Sequence, residues 1–103
     1  MKTPKEFSYI YNNAKKRHTE SAVIFFKEGS EKKVGFTVSK KIGNAVKRNF
    51  AKRRLRSLFL ELEESLREGT YVFVAKKAIL SEDYQKIKRG VINALKRLKA
   101  YET

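Results

Sequence analysis

The sequence predicts an α/β two-layer sandwich, a small sheet packed against helices, within one domain spanning residues 1–103. Three observations carry that reading. Two long stretches repeat apolar residues in steps of three and four, the helical period: Ala51, Leu55, Leu58, Leu62 and Leu66, then Tyr84, Ile87, Val91, Leu95 and Leu98. Three short runs, 21–27, 33–39 and 71–75, are rich in β-branched and aromatic residues. Glycine-containing breaks at 28–31, 43–44 and 69–70 separate them. The order read from the residues is helix, two strands, long helix, strand, helix.

The chain opens on Thr3-Pro4, an N-cap followed by proline at the first helical position, and Phe7, Ile10, Tyr11 and Ala14 share a face of that helix. His18, the one histidine, has no partner spacing and reads as an exposed loop residue. In the first strand Ala22, Ile24 and Phe26 alternate with Val23 and Phe25. Glu28-Gly29-Ser30-Glu31 reads as a turn that pairs this strand with the next in a hairpin. The second strand has unequal faces, bulky Val34, Phe36 and Val38 against small Gly35, Thr37 and Ser39. With Val23 and Phe25 beside the small residues, the open face becomes a shallow groove with an apolar floor; a one-residue slip would reverse the faces.

After Gly43-Asn44 a long helix is expected from about Ala45 to Arg67, ended by Gly69-Thr70. Tyr71 to Ala75 (YVFVA) is apolar on both faces and reads as a central strand. Ser81 is expected to cap the last helix, with Glu82 and Asp83 suiting its first turn. Gly90 costs that helix up to about 1 kcal/mol and has no local explanation.

Charge decides the class of partner. The 103 residues carry 25 Lys or Arg against 11 Asp or Glu, a formal net charge of +14, which points to nucleic acid, an anionic membrane surface or an acidic protein. No acid interrupts residues 32–60, and about 100° per residue places Arg48, Lys52 and Arg56 along one flank of the apolar stripe, with Asn49 beside them. A row of cations held by a packed helix suits a run of phosphates. Catalytic equipment is sparse: no Cys, one His, and no phosphate-cradling glycine loop. Glu61, Glu64 and Glu68 share a face of the expected helix but lack His or Asp partners, so they read as solvated rather than as a metal site. No apolar run is long enough to span a bilayer, and the absence of cysteine is consistent with a cytosolic protein.

One stretch carries more than composition. Ile42-x-x-Ala45-x-x-Arg48-Asn49-x-x-Lys52-Arg53-x-Leu55-Arg56, preceded by Gly35-Phe36-Thr37-Val38-Ser39-Lys40-Lys41, resembles the signature of the bacterial ribonuclease P protein subunit. It departs from that pattern at Phe50, where a second basic residue is usual, and at Ala51, where a larger aliphatic is common. The resemblance implies a mixed four-stranded sheet in the order α-β-β-β-α-β-α, with a left-handed β-α-β crossover and a short extra strand near Lys16 to His18. It implies RNA contacts from the basic helix (Lys47, Arg48, Asn49, Lys52, Arg53, Arg54, Arg56) and from the loop before it (Lys40, Lys41). It also implies a cleft for the 5′ leader of precursor tRNA, formed by Phe7, Tyr11, Val23, Phe25, Thr37 and Ser39. The expected partners are the ribonuclease P RNA subunit and precursor tRNA, not DNA or membrane, in the cytoplasm. Chemistry and Mg²⁺ are expected to belong to the RNA subunit, with no catalytic or metal-binding residue in this chain. The alternative from the residues is a stand-alone basic RNA-binding protein of ribosomal type.

Overall fold

The structure, a computed structural model, describes residues 14–101. The expected first helix, with Phe7 and Tyr11, lies outside them. Four strands and two helices follow: β1 (Lys15–His18), β2 (Ala22–Glu28), β3 (Lys32–Thr37), α1 (Ala45–Leu62), β4 (Gly69–Ala75) and α2 (Tyr84–Arg97). Single 3₁₀ turns occupy Lys40–Ile42, Glu63–Ser65 and Lys77–Leu80. His18, expected in a loop, ends the short strand β1.

The sheet is mixed, in spatial order β1-β2-β4-β3. The expected hairpin between β2 and β3 does not form. β4 lies between them, antiparallel to β2 and parallel to β3, and α1 is the crossover that makes the parallel pair possible. The reason lies in the faces of β4: YVFVA is apolar on both sides, so it gains most from a central position. β3, with exposed Lys32 and Lys33 at its start, tolerates the edge.

Register places Ile24, Phe73 and Phe36 in one row across the sheet and Phe25, Val72 and Gly35 in the next. The first set faces the helices. Ala22, Ile24, Phe26, Tyr71 and Phe73 pack there with Ala51, Leu55, Leu58, Phe59 and Leu62 of α1 and with Ile87, Val91, Ala94 and Leu95 of α2. Rings interlock at the centre: Phe59 meets Tyr71 and Phe73 edge-on at 5.9 and 6.1 Å. The buried Tyr71 hydroxyl donates to the Arg67 carbonyl at 2.6 Å. Val34, Phe36 and Val38 join this core, as their bulk implied.

Three element ends differ from expectation. α1 stops at Leu62, not Arg67; a 3₁₀ turn follows, and Leu66 reaches the core from extended backbone that bridges Tyr101. Glu61, Glu63 and Glu64 sit at the negative end of the helix dipole, which disfavours continuing it. Gly69 does not terminate a helix but opens β4. Its φ is 154°, and a Cβ there would lie 2.6 Å from the Lys27 carbonyl oxygen. Asp83, not Ser81, caps α2, accepting from the Lys86 amide at 3.3 Å; the Ser81 amide closes the preceding 3₁₀ turn on Ala78.

Candidate nucleic-acid interface

α1 begins where Asn44 accepts a hydrogen bond from the Lys47 amide at 3.0 Å, which sets the phase of every side chain after it. That phase turns Ala51, Leu55 and Leu58 inward and leaves Lys47, Asn49, Lys52, Arg53 and Arg56 exposed. Lys40 and Lys41 stand exposed in the 3₁₀ turn ahead of the helix. Among the described residues no carboxylate pairs with any of these cations; the ion pairs there join Arg67 to Glu28, Lys86 to Glu82 and Lys88 to Glu61. Like charges one turn apart cost the helix a few tenths of a kcal/mol per pair, and the packed core carries that cost.

Arg48 differs from its neighbours. It is half-buried, and with Asn49, Lys52 and Ala45 it lines a groove of about 280 Å³ against Phe36 and Val38. Its Nε is buried and has no hydrogen-bond partner among the described residues. A buried guanidinium N–H without an acceptor is costly, and an anion seated in this groove would supply one.

Arg54 faces the other way. Its Nη1 donates to the Glu82 carbonyl at 2.7 Å and reaches the Ile79 carbonyl at 3.5 Å, while its guanidinium lies 4.7 Å from the centroid of the Phe50 ring. Among the described residues it is the one basic-helix side chain fastened to the protein itself, holding α1 to the segment that precedes α2. Phe50, the departure from the family pattern, supplies the ring it rests on. Nearby the Tyr84 hydroxyl donates to Glu61 at 2.7 Å. Burial first, then this bond and the Glu61 charge, push the Tyr84 phenol up from 10.0 to about 12.

The opposite face of the sheet carries those residues expected to form a cleft that the structure describes. Val23 and Phe25 lie on it together, packed with Ala14, and register brings Gly35 and Thr37 to the same face. Val72 and Val74 of β4 run between the two pairs, and Val72 with Phe25 makes a second, buried apolar cluster on this face, with Val23 and Val74 half-buried beside it. Sequence reasoning missed these valines, although the alternation within YVFVA carries the signal. Lys16 pairs with Phe25 across β1–β2 and is exposed, adding a cation at the cleft's edge. Ser39 is exposed two residues past the end of β3, at the start of the 3₁₀ turn, its carbonyl accepting from the Ile42 amide at 3.1 Å.

No group of three or more metal-ligating side chains converges among the described residues. The face expected to unite Glu61, Glu64 and Glu68 is not formed, because the helix ends before the second of them. No described helix is long and apolar enough to cross a membrane.

Comparison with known proteins assigns this arrangement. The ribonuclease P family profile matches residues 1–99. A ribonuclease P protein component from Nitratiruptor is 39% identical over 99 residues, covering 96% of this chain and 91% of its own. One from Streptococcus agalactiae is 36% identical over 98 residues, covering 93% and 90%. Among solved structures, the RNase P protein of Thermotoga maritima superposes with a TM-score of 0.81 at 25% identity over 94% of each chain. A Staphylococcus aureus RNase P protein mutant, described as defective in mRNA degradation, gives 0.86 at 25% identity over 98% of this chain and 88% of its own. The chain thus belongs to the bacterial ribonuclease P protein family, the protein components of an RNA-based endoribonuclease.

Proposed function

We propose that, within that ribonucleoprotein, this chain lays the α1 ridge on the RNA subunit and holds the 5′ leader of precursor tRNA on the side of the sheet opposite α1 and α2. The observation that carries the proposal is the unpaired state of the ridge: Arg48, Lys52, Arg53 and Arg56 have no carboxylate partner among the described residues, and the Arg48 Nε has no acceptor. Groups so arranged suit phosphate oxygens, and each phosphate neutralised releases counterions. Lys40, Lys41 and Lys47 extend the same basic surface toward the start of the helix.

The cleft suits the substrate side. Half-buried Val23 and Val74, backed by the buried pair Phe25 and Val72, offer apolar contact to unpaired bases without reading them, and half-buried Thr37 lies on the same face. Phe7 and Tyr11 are assigned to stacking on the same leader. The chain's part is binding, orientation and reduction of RNA–RNA repulsion. Mg²⁺ belongs with the RNA subunit, where the phosphodiester is hydrolysed, and the assembly works in the cytoplasm.

Reconstitution tests the reading. Mixed with a bacterial ribonuclease P RNA at low Mg²⁺, the chain should stimulate cleavage of a precursor tRNA. Replacing Phe7 and Tyr11 together with Ala should weaken affinity for leader-bearing precursor while leaving that for mature tRNA nearly unchanged. Equal loss for both RNAs, or none for either, would instead favour a general RNA-binding protein of ribosomal type.

A further inference from the structure

A cavity of about 420 Å³ lies between β1 and α2, on the helix side of the sheet and at the edge farthest from β3. Register puts Arg17 opposite Ile24, whose side chain is in the core beneath the helices, so Arg17 belongs to that side and not to the leader cleft. From α2 the cavity receives Lys86, Gly90, Asn93 and Arg97, spaced four, three and four residues apart on one helical face. Glu82 pairs with Lys86 at 3.5 Å. Arg17 and Arg97 have no ion pair or hydrogen bond among the described residues, and both are exposed.

The far wall is rigid. The Thr19 hydroxyl accepts from the Ala22 amide and donates to the Ala22 carbonyl, both at 2.9 Å, and Lys76 donates to the Thr19 carbonyl at 2.8 Å. Gly90 faces this wall, and nothing in the fold demands a glycine. It sits within a regular helix, and the nearest contact of an added Cβ would be Thr19 Cβ at 3.8 Å, ordinary van der Waals distance. The helix-weakening residue left unexplained by the sequence is therefore the one that keeps the cavity open.

We infer that this cavity takes one nucleotide of RNA, as a contact separate from both the ridge and the leader cleft; the inference rests on the RNA-binding function proposed above. Two guanidiniums free of protein partners suit a backbone phosphate. Glu20, which also lines the cavity, disfavours a bare anion there but accepts from a ribose hydroxyl or an exocyclic amine, and Asn93 can donate or accept beside it. The volume matches a nucleotide rather than a single phosphate. β1 and β3 are the two edge strands, three strand spacings or about 15 Å apart, so cavity and ridge can engage different segments of one folded RNA.

The test measures affinity of the full chain for a bacterial ribonuclease P RNA against salt concentration, with thermal unfolding as a control. Arg17→Ala combined with Arg97→Ala should weaken binding about tenfold and lower the slope of log affinity against log salt by about 1–2. Gly90→Gln fills the cavity from the helix while improving helix propensity, so it should weaken binding comparably and raise the melting temperature. Arg48→Ala with Lys52→Ala serves as the reference lesion. If Gly90→Gln and the double arginine variant bind like the parent while the reference variant is weakened, the cavity is not an RNA site. If the reference variant also binds like the parent, the ridge assignment fails first and takes this inference with it.

Discussion

Arg54 donates to the Glu82 carbonyl at 2.7 Å and rests on the Phe50 ring, whereas the buried Arg48 Nε finds no acceptor among the described residues. The two guanidiniums should therefore fail differently. Arg54→Ala leaves carbonyls without their donor and removes a cation–π contact, so unfolding by denaturant should show a loss of about 1–3 kcal/mol. Arg48→Ala removes a buried donor that lacks a partner, so stability should change by less than about 0.5 kcal/mol while RNA affinity falls. The 3.6-residue period was enough to place Arg48, Lys52 and Arg56 along one flank. It could not distinguish Arg54, whose partners lie 25 and 28 residues further along the chain. Tyr84 supplies a pH signature. Its phenol titrates at about 12 when folded and 10.0 when not, so the fold favours the neutral form. That contribution is complete below pH 10.0 and is lost as pH rises toward 12. Melting temperatures recorded across this interval should fall less steeply for Tyr84→Phe than for the parent.

At the scale of the elements, local pattern located helices and strands well and their ends poorly. The acidic stretch after Leu62 has one cation, Arg67, which turns to Glu28 and the Lys99 carbonyl; the cation at the helix end is Lys32, whose Nζ donates to the Glu63 carbonyl at 2.6 Å across 31 residues of chain. The turn at 28–31 has the composition of a hairpin, and only the two-sided apolarity of β4 argues that another strand should come between its arms. The faces of β2 and β3 were legible because alternation fixes them whichever strands are neighbours. The end of α2 holds a local conflict: Lys99 occupies the left-handed region at φ 61°, with the Ala100 amide bonded to the Leu95 carbonyl at 2.9 Å. Glycine is the usual residue there. Lys99→Gly should stabilise the protein by about 0.5–1 kcal/mol, read from the denaturation midpoint at unchanged slope.

For the molecule as a whole, charge and fold divide the work. The net charge of +14 argues for a polyanion as partner, and the fold turns an otherwise undirected charge into a ridge on α1, with a second small apolar cluster on the far face of the sheet. The class of partner was therefore legible from composition, while the cavity between β1 and α2 was not, because it joins residues 17 and 97. Strand order has one more implication. The last strand in the chain is the one both its neighbours lean on, so no prefix of the polypeptide can assemble a sheet joining β2 to β3. A fragment ending at residue 68 would retain every cation of the ridge yet show little helix by circular dichroism, and its grip on RNA would be that of an unstructured basic peptide. During synthesis the growing chain thus stays unfinished until β4 leaves the ribosome, and the two surfaces proposed for catalytic RNA and for substrate come into being together.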